Sequence, residues 1–187
     1  MNAPHDEEAL ALSARLGAAC LAKGLTLAVA ESCTGGLVMS LVTDTAGSSA
    51  YFLGGIVAYH NAAKERLLGV RAETLREHGA VSEPTAREMA RGVRACLGAD
   101  LGIAVTGIAG PTGGTPQKPV GLVYVAVSSP WGEECERHLW TGDRLENKRS
   151  SALAALRLAL RHLGEETERQ GTCPAAPDPP SGVSAFL

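Results

Sequence analysis

Short apolar runs recur along the chain and are separated by segments in which apolar residues have helical spacing. Short apolar runs that are bounded by turn residues are typical of strands that are buried on both faces of a sheet. The predicted strands cover residues 25–30, 52–60, 101–106, 122–128 and 134–142. The last of them mixes charged with apolar residues, so we expect it at an edge of the sheet.

The intervening segments place apolar residues three and four positions apart, which predicts amphipathic helices. Gly24 is a candidate C-cap for the first helix, and Asn61 and Ser82 are candidate N-caps for later ones. The predicted helices cover residues 7–23, 37–45, 62–68, 73–78, 83–97 and 147–163.

The alternation of strands and helices predicts the α/β class and a three-layer α/β/α sandwich. Residues 122–128 and 134–142 are joined only by a short turn, so we expect an antiparallel hairpin there. The predicted sheet is therefore mixed and mostly parallel.

The length of 187 residues fits a single domain with its own core, which we place at residues 1–170. Residues 171–187 contain four prolines and no hydrophobic periodicity, which predicts a disordered Pro-rich tail. The chain has 22 glycines and only 4% aromatic residues. Small and aliphatic side chains must therefore build the core, and glycine is available for tight turns.

Charge and cysteine content exclude several classes of function. The net charge of -3, without a block of Lys or Arg, argues against a direct nucleic-acid ligand. No apolar run is long enough to span a membrane, and the acidic N-terminus is unlike a signal peptide. Five widely spaced cysteines without a C-x-x-C pair fit reduced thiols better than disulfides or a zinc site. We expect a soluble, cytoplasmic protein.

Ligands of open α/β sheets bind where strands end and helices begin, and residues 30–36 occupy such a place. Free backbone N–H groups there favour an anion or an oxyanion. A simple capping turn, with Ser32 or Thr34 bonded to backbone amides, explains the same residues about equally well.

Two further segments carry candidate chemistry. The glycine-rich loop after residue 106 suits close approach to a phosphate or sugar, but it has neither a Walker A nor a G-x-G-x-x-G pattern. The other runs from Gly47 to Tyr59 and Lys64. A lysine at the start of a helix is usually a solvated surface residue. The local motifs of common serine hydrolases are absent around Ser32, and no histidine is favoured by its spacing.

Several blocks together resemble a known family, the C-terminal domain family of the competence/damage-inducible protein CinA. The resemblance covers residues 10–163 and is specific because unusual blocks recur in order. Those blocks are AESCTGG (30–36), AGSSAYF (46–52), GIVAYHNAAKERLLGV (55–70), GAVSEPTAREMA (79–90), VTGIAGPTGGTPQKPVGLVYVAV (105–127) and TGDR (141–144). Larger members carry a molybdopterin-binding-like N-terminal domain, and this chain resembles the stand-alone form.

The resemblance implies hydrolysis of the carboxamide of nicotinamide mononucleotide to nicotinate mononucleotide and ammonia. Family members are thought to use serine and lysine, which implies no metal and no cofactor here. The residues that carry over are Ser32, Ser48, Ser49, Tyr59, Lys64, Thr106 and Arg144.

Within that activity, we expect Ser32 to attack the carboxamide carbon and Lys64 to accept its proton. Lys64 must then be buried, because the pKa of a free lysine, ~10.4, is too high for a base at neutral pH. Tyr59 would relay a proton or orient the amine. Ser49 is the alternative nucleophile or an oxyanion donor, and Cys33 is a rival nucleophile, although a small buried residue is the commoner role.

Substrate binding is expected at backbone amides and at one cation. Amides near residues 33–36 or 48–49 would hold the oxyanion, and Arg144 would hold the phosphate unless it forms a surface ion pair with Asp143 or Glu146. The expected substrate-binding residues are Thr34, Gly35, Gly36, Ser48, Thr106, Gly107 and Arg144.

Two other classes of function remain open at this point. One is a non-enzymatic regulatory or docking module linked to competence or DNA damage, and the other is a phosphate-ligand-binding domain with degenerate chemistry. The partners we expect are the small-molecule substrate and a second copy of the chain, because the Ala-rich C-terminal helix favours a homodimer. We expect no membrane or direct nucleic-acid partner.

Overall fold

The computed structural model describes residues 4–165, with side chains from residue 7 onward. The predicted tail at 171–187 lies outside the described residues. Five strands and six α-helices lie within the described part, together with a short 3-10 turn at Ser48–Ala50. The elements, in chain order, are α1 (Pro4–Lys23), β1 (Leu27–Glu31), α2 (Leu37–Thr43), β2 (Phe52–Val57), α3 (Asn61–Leu68), α4 (Ala72–His78), α5 (Glu83–Leu97), β3 (Leu101–Gly107), β4 (Leu122–Ser129), β5 (Gly132–Leu139) and α6 (Arg144–His162).

The strands form one sheet in the order β2-β1-β3-β4-β5. β1 pairs in parallel with β2 and β3, whereas β4 pairs antiparallel with β3 and β5. Four strands therefore point the same way and β4 runs against them. The predicted hairpin and the mixed sheet are confirmed.

Helices cover both faces of this sheet. Aliphatic residues of α1, α2 and α6 pack against one face of β1, β3 and β4. Residues of α3, α4 and α5 pack with the alanines of β1, β3 and β4 on the other face. The three-layer α/β/α sandwich is thus confirmed, with a core of small and aliphatic side chains on each side of the sheet.

Several predicted boundaries were wrong, and β2, for example, ends at Val57 rather than residue 60. α6 begins at Arg144 rather than residue 147, because Asp143 and Glu146 form a reciprocal capping box at its start. β5 ends at Leu139, short of the predicted residue 142. The N-cap of α3 is His60 rather than Asn61, since the His60 side chain accepts a hydrogen bond from the N–H of Ala62.

The direction of the strands decides which loops meet. The carboxyl ends of β1, β2 and β3 lie side by side and form what we call the C-terminal edge of the sheet. The segments that follow residues 31, 57 and 107 therefore lie beside one another. The turn at Ser48–Ala50 comes before β2 and lies at the opposite edge. No helix in the stretch 4–165 is long and apolar enough to cross a membrane.

Candidate active site

Ser32 follows β1 directly and is held at the end of the sheet. Its backbone N–H donates to the carbonyl of Val105 on β3, at 2.9 Å. The residue is only 8% exposed. A serine in this position is fixed by the strand register and is partly shielded from water.

Lys64 lies on α3 with its side chain 1% exposed, which makes it one of the largest fully buried side chains. Its Nζ lies 3.0 Å from the Oγ of Ser32. The same nitrogen contacts the carbonyl oxygens of Ala58 at 2.8 Å and Tyr59 at 3.3 Å. The expected pair of Ser32 and Lys64 is therefore in direct contact.

Burial lowers the pKa of Lys64 below its ordinary value near 10.5, and the nearby Cys33 opposes this shift only in part. Desolvation penalises the ammonium form, so it favours the neutral amine. A neutral amine has two N–H groups for the carbonyls of Ala58 and Tyr59 and one lone pair left for the Ser32 hydroxyl. The arrangement suits a base that accepts the proton of Ser32.

Cys33 stands next to Ser32 but is buried, 6% exposed. Burial raises the pKa of its thiol to about 12, and the charge of Glu31 acts in the same direction. The thiol is therefore protonated at neutral pH and is a poor nucleophile. Of the two neighbouring candidates, the geometry favours Ser32.

Glu31 is a buried residue that sequence reasoning missed. Its carboxylate accepts hydrogen bonds from the backbone N–H groups of Gly36 and Met39, both at 2.9 Å. It thereby caps α2, whose own N-cap, Gly36, has no side chain. An available signal was a glutamate next to the serine, ahead of a helix without a Ser, Thr, Asp or Asn cap.

The turn between β1 and α2 requires glycine at two positions. Gly35 and Gly36 have φ angles of 66° and 102°, which other residues adopt only with strain. Thr34 lies before them with no exposed surface, and its buried hydroxyl has no hydrogen-bond partner among residues 4–165. The N–H of Thr34 is likewise without an acceptor in that range.

Tyr59 and Arg144 meet across the mouth of this site. An N–H of the Arg144 guanidinium contacts the Tyr59 hydroxyl at 3.3 Å, and another donates to the carbonyl of Gly110 at 2.7 Å. Arg144 does not form the surface pair with Asp143 or Glu146 that was the alternative to phosphate binding, and those carboxylates cap α6 instead. Tyr59 contacts Lys64 through its carbonyl, and the residue as a whole is 61% exposed.

A cavity of about 460 Å³ adjoins this mouth. It lies between the loop that follows β3 and the first turn of α6, and Pro111, Arg144 and Leu145 contribute to its walls. Of the expected residues, Arg144 is the one that borders it.

Ser48 and Ser49 do not reach Ser32 within one chain, contrary to our expectation. Phe52 at the start of β2 pairs with Leu27 at the start of β1, so the turn before β2 lies at the opposite edge of the sheet. The length of β2 alone separates the two edges by about 17 Å. Ser49 is exposed and Ser48 is half-buried at that edge.

Thr106 and Gly107 have contacts that explain them without a ligand. The Thr106 hydroxyl donates to the carbonyl of Ala80 at 2.8 Å, and its side chain is 1% exposed. A Cβ at Gly107 would lie 2.5 Å from the side chain of Val123, so β4 leaves no room for a larger residue.

The titratable groups do not suggest a metal centre. No group of three His, Cys, Asp or Glu side chains in the described part of the chain is arranged to hold a metal ion. The polar groups at the end of β1 include the Ser32 hydroxyl, the Lys64 amine, backbone amides and the Glu31 carboxylate that caps α2. That set is suited to acyl transfer by an activated serine.

Comparison with known sequences and structures points to one family. The sequence profile of the CinA C-terminal domain matches residues 9–163. A CinA-like protein from Anaeromyxobacter sp. (strain K) is 54% identical over 143 residues, which are 75% of this chain and 35% of that protein. A CinA-like protein from Salinibacter ruber is 51% identical over 152 residues, 81% of this chain and 37% of that protein. The chain therefore spans about a third of the length of these curated relatives.

Solved structures of similar size share the fold. The competence/damage inducible protein CihA from Agrobacterium tumefaciens superimposes with a TM-score of 0.81 at 40% identity, over 84% of this chain and 96% of that one. A CinA superfamily protein from Escherichia coli gives 0.80 at 31% identity, over 87% and 94% of the two chains. The profile match, the sequence identity and the shared fold agree: this chain belongs to the CinA C-terminal domain family.

Proposed function

We propose that this protein hydrolyses the carboxamide of nicotinamide mononucleotide, giving nicotinate mononucleotide and ammonia. The observation that carries the proposal is the 3.0 Å contact between the Ser32 hydroxyl and the buried amine of Lys64. A lysine without solvent exposure and without a carboxylate partner costs stability. The depressed pKa that results is useful for a general base.

In the first step, the neutral Lys64 amine removes the proton of Ser32 as its Oγ attacks the carboxamide carbon. The carbonyl π electrons move to the oxygen, and a tetrahedral intermediate forms. Lys64 then returns the proton to the amide nitrogen, the C–N bond breaks and ammonia leaves. Ser32 remains esterified by the acid part of the nucleotide.

In the second step, Lys64 takes a proton from a water molecule that attacks this ester. The ester bond breaks, Ser32 recovers its proton and the nicotinate nucleotide leaves with a carboxylate. The oxyanion of both steps needs fixed donors. The backbone N–H of Thr34, which has no acceptor among residues 4–165, is our candidate for one of them. The buried Thr34 hydroxyl, which has no partner among residues 4–165, is a candidate for a second donor.

Tyr59 and Arg144 are suited to positioning. The Tyr59 carbonyl orients the Lys64 amine, and its exposed ring offers a flat surface beside the reacting groups for the pyridinium ring of the substrate. Arg144, which is held by the Tyr59 hydroxyl and a loop carbonyl, supplies a positive charge for the phosphate. Proton relay by the Tyr59 hydroxyl is less well supported, since that group faces Arg144.

The test is ammonia release from nicotinamide mononucleotide by the purified protein, with a metal chelator present. We expect turnover, with nicotinate mononucleotide formed in equal amount. Tight binding of the nucleotide without ammonia release would favour the degenerate phosphate-binding domain instead. Neither binding nor release would favour the non-enzymatic docking module.

A cytoplasmic location and a homodimer stay proposals. The apolar face of α6, which suggested the dimer, packs against the core of its own chain. Residues 151–160 of that helix are buried apart from Arg157. A second copy would therefore need another surface, and sedimentation of the purified protein measures whether it exists.

A further inference from the structure

The first turns of α6 present two cations to the site, and one of them, Lys148, has no partner among residues 7–165. Arg144 and Lys148 are four residues apart, so they lie on the same face of the helix. Arg144 faces Tyr59 and Gly110. Lys148 faces the turn after Ser32, since a Cβ placed on Gly35 would lie 3.7 Å from its Nζ.

The four lysines of the chain differ in what holds their ammonium groups. Lys23 lies 3.9 Å from the carboxylate of Glu165, and Lys118 donates to the carbonyls of His78 and Val81. Lys64 contacts Ser32 and two carbonyls. Lys148 alone forms no hydrogen bond or ion pair with residues 7–165, although its side chain is half-buried.

The start of α6 that carries Lys148 is fixed to its surroundings. The buried Asn147 side chain donates to the carbonyls of Ala109 and Gly142 and accepts from the N–H of Gly142. Asp143 and Glu146 accept hydrogen bonds from backbone N–H groups at the helix start, so neither carboxylate neutralises Lys148. A rigid helix thus holds a positive charge that has no ion pair among residues 7–165 over the turn that carries Ser32.

The charge of Lys148 also acts on a residue inside that turn. Lys148 and Lys64 both act to lower the pKa of the Cys33 thiol, against the larger effect of burial. Gly35 is three residues beyond Ser32, so at most about 10 Å of chain separates the reacting hydroxyl from the place that Lys148 faces. This distance is comparable to the length of a mononucleotide.

We propose that Lys148 is a specificity-determining residue that binds the phosphate of the substrate together with Arg144. The proposal rests on the proposed function. Arg144 provides a planar fork and Lys148 a point charge, and two cations on one rigid helix suit a phosphate dianion. The missing side chain at Gly35 leaves open the space in front of the ammonium group.

The test compares Lys148→Met and Lys148→Arg with the wild type on two substrates, nicotinamide mononucleotide and nicotinamide riboside, which lacks the phosphate. For Lys148→Met we expect KM for the nucleotide to rise tenfold or more, kcat to change little, and the riboside to be hydrolysed as by the wild type. Lys148→Arg should recover most of the loss. Lys23→Met, a remote lysine, is the matched control and should change neither substrate.

Two results would overturn the proposal. One is an equal loss of kcat on both substrates, which would mean that Lys148 acts on the oxyanion; the other is no change on either. Calorimetric binding of nicotinate mononucleotide provides a readout without turnover. If the wild type releases no ammonia but its binding of this nucleotide weakens tenfold in Lys148→Met, the hydrolysis fails and the phosphate site stands.

Discussion

The two turns that carry the candidate nucleophiles Ser32 and Ser49 both combine serine with glycine next to a strand, but they lie at opposite edges of the sheet. Ser32 follows β1, is 8% exposed and contacts a buried lysine. Ser49 precedes β2, is exposed and lies at the other edge of the sheet from Ser32 and Lys64. In sequence the two turns look alike, and Ser49 is even nearer to Lys64.

The difference between them comes from strand direction. Parallel strands bring their carboxyl ends together, so Ser32 after β1 and Lys64 after β2 meet although they are 32 residues apart. The turn at Ser49 is joined to the same β2, but at its other end. Distance along the sequence is therefore a poor guide to which serine has the base.

The largest effect that would test this comparison is expected for Lys64→Met. Loss of the base should lower kcat by roughly a thousandfold or more, as when one member of a catalytic unit is removed. Arg66→Met, an exposed change on the same helix, is the control and should leave kcat unchanged. Steady-state ammonia release measures both, and a Lys64→Met variant with ordinary kcat would contradict the assignment.

The lowered pKa of Lys64 also leads to a prediction about pH dependence. Because the neutral amine is required, kcat/KM should rise with pH and level off above the depressed pKa, below the ordinary value near 10.5. The folded pKa is lower than the unfolded one, so between the two values the unfolded chain binds more protons and stability rises with pH. Relative to Lys64→Met, the wild type should gain unfolding free energy over that window. A flat difference in urea titrations would argue that Lys64 is charged in the folded protein.

Glu31→Gln tests how the turn at Ser32 is held. Glutamine keeps one acceptor oxygen and loses the charge, so one of the bonds from Gly36 and Met39 is lost. We expect a loss of about 2 kcal/mol in unfolding free energy, with lower kcat because Ser32 is less well positioned. Glu65→Gln is the exposed control on α3 and should change neither quantity. Unchanged stability in Glu31→Gln would show that α2 does not need this cap.

The smallest expected effect is that of Thr34→Val. Valine has nearly the same shape and removes a buried hydroxyl that has no partner among the described residues. Unfolding free energy should therefore rise by about 1 kcal/mol. If the hydroxyl serves the oxyanion, kcat should fall at the same time, which separates function from stability. A variant that is more stable and equally active would assign the Thr34 hydroxyl no part in the reaction.

Much of the fold could be predicted from the hydrophobic pattern. Strands such as 101–106 are continuous apolar runs, and such runs are typical of strands that are buried on both faces of a sheet. Boundaries were less predictable where side chains decide them. The start of α6 depends on the Asp143–Glu146 capping box, and the start of α3 on a ring nitrogen of His60.

The candidate site was predictable where its chemistry sets a requirement. A serine–lysine pair needs a buried lysine, so the burial of Lys64 could be anticipated from the role that the resemblance implied. Glu31 and Lys148 could not be found in the same way, because their roles depend on contacts across the fold. In the sequence, a glutamate in a strand and a lysine in a helix look like ordinary surface residues. Only the folded structure shows that both contact or face the turn after Ser32.

The most direct measurement of the central claim is ammonia release from nicotinamide mononucleotide by Ser32→Ala and Ser49→Ala, measured side by side with the wild type. The two changes are chemically identical, and they differ only in the edge of the sheet that they alter. The account predicts loss of turnover by roughly a thousandfold or more in Ser32→Ala and full activity in Ser49→Ala. Retained turnover in Ser32→Ala, or its loss in Ser49→Ala alone, would contradict it.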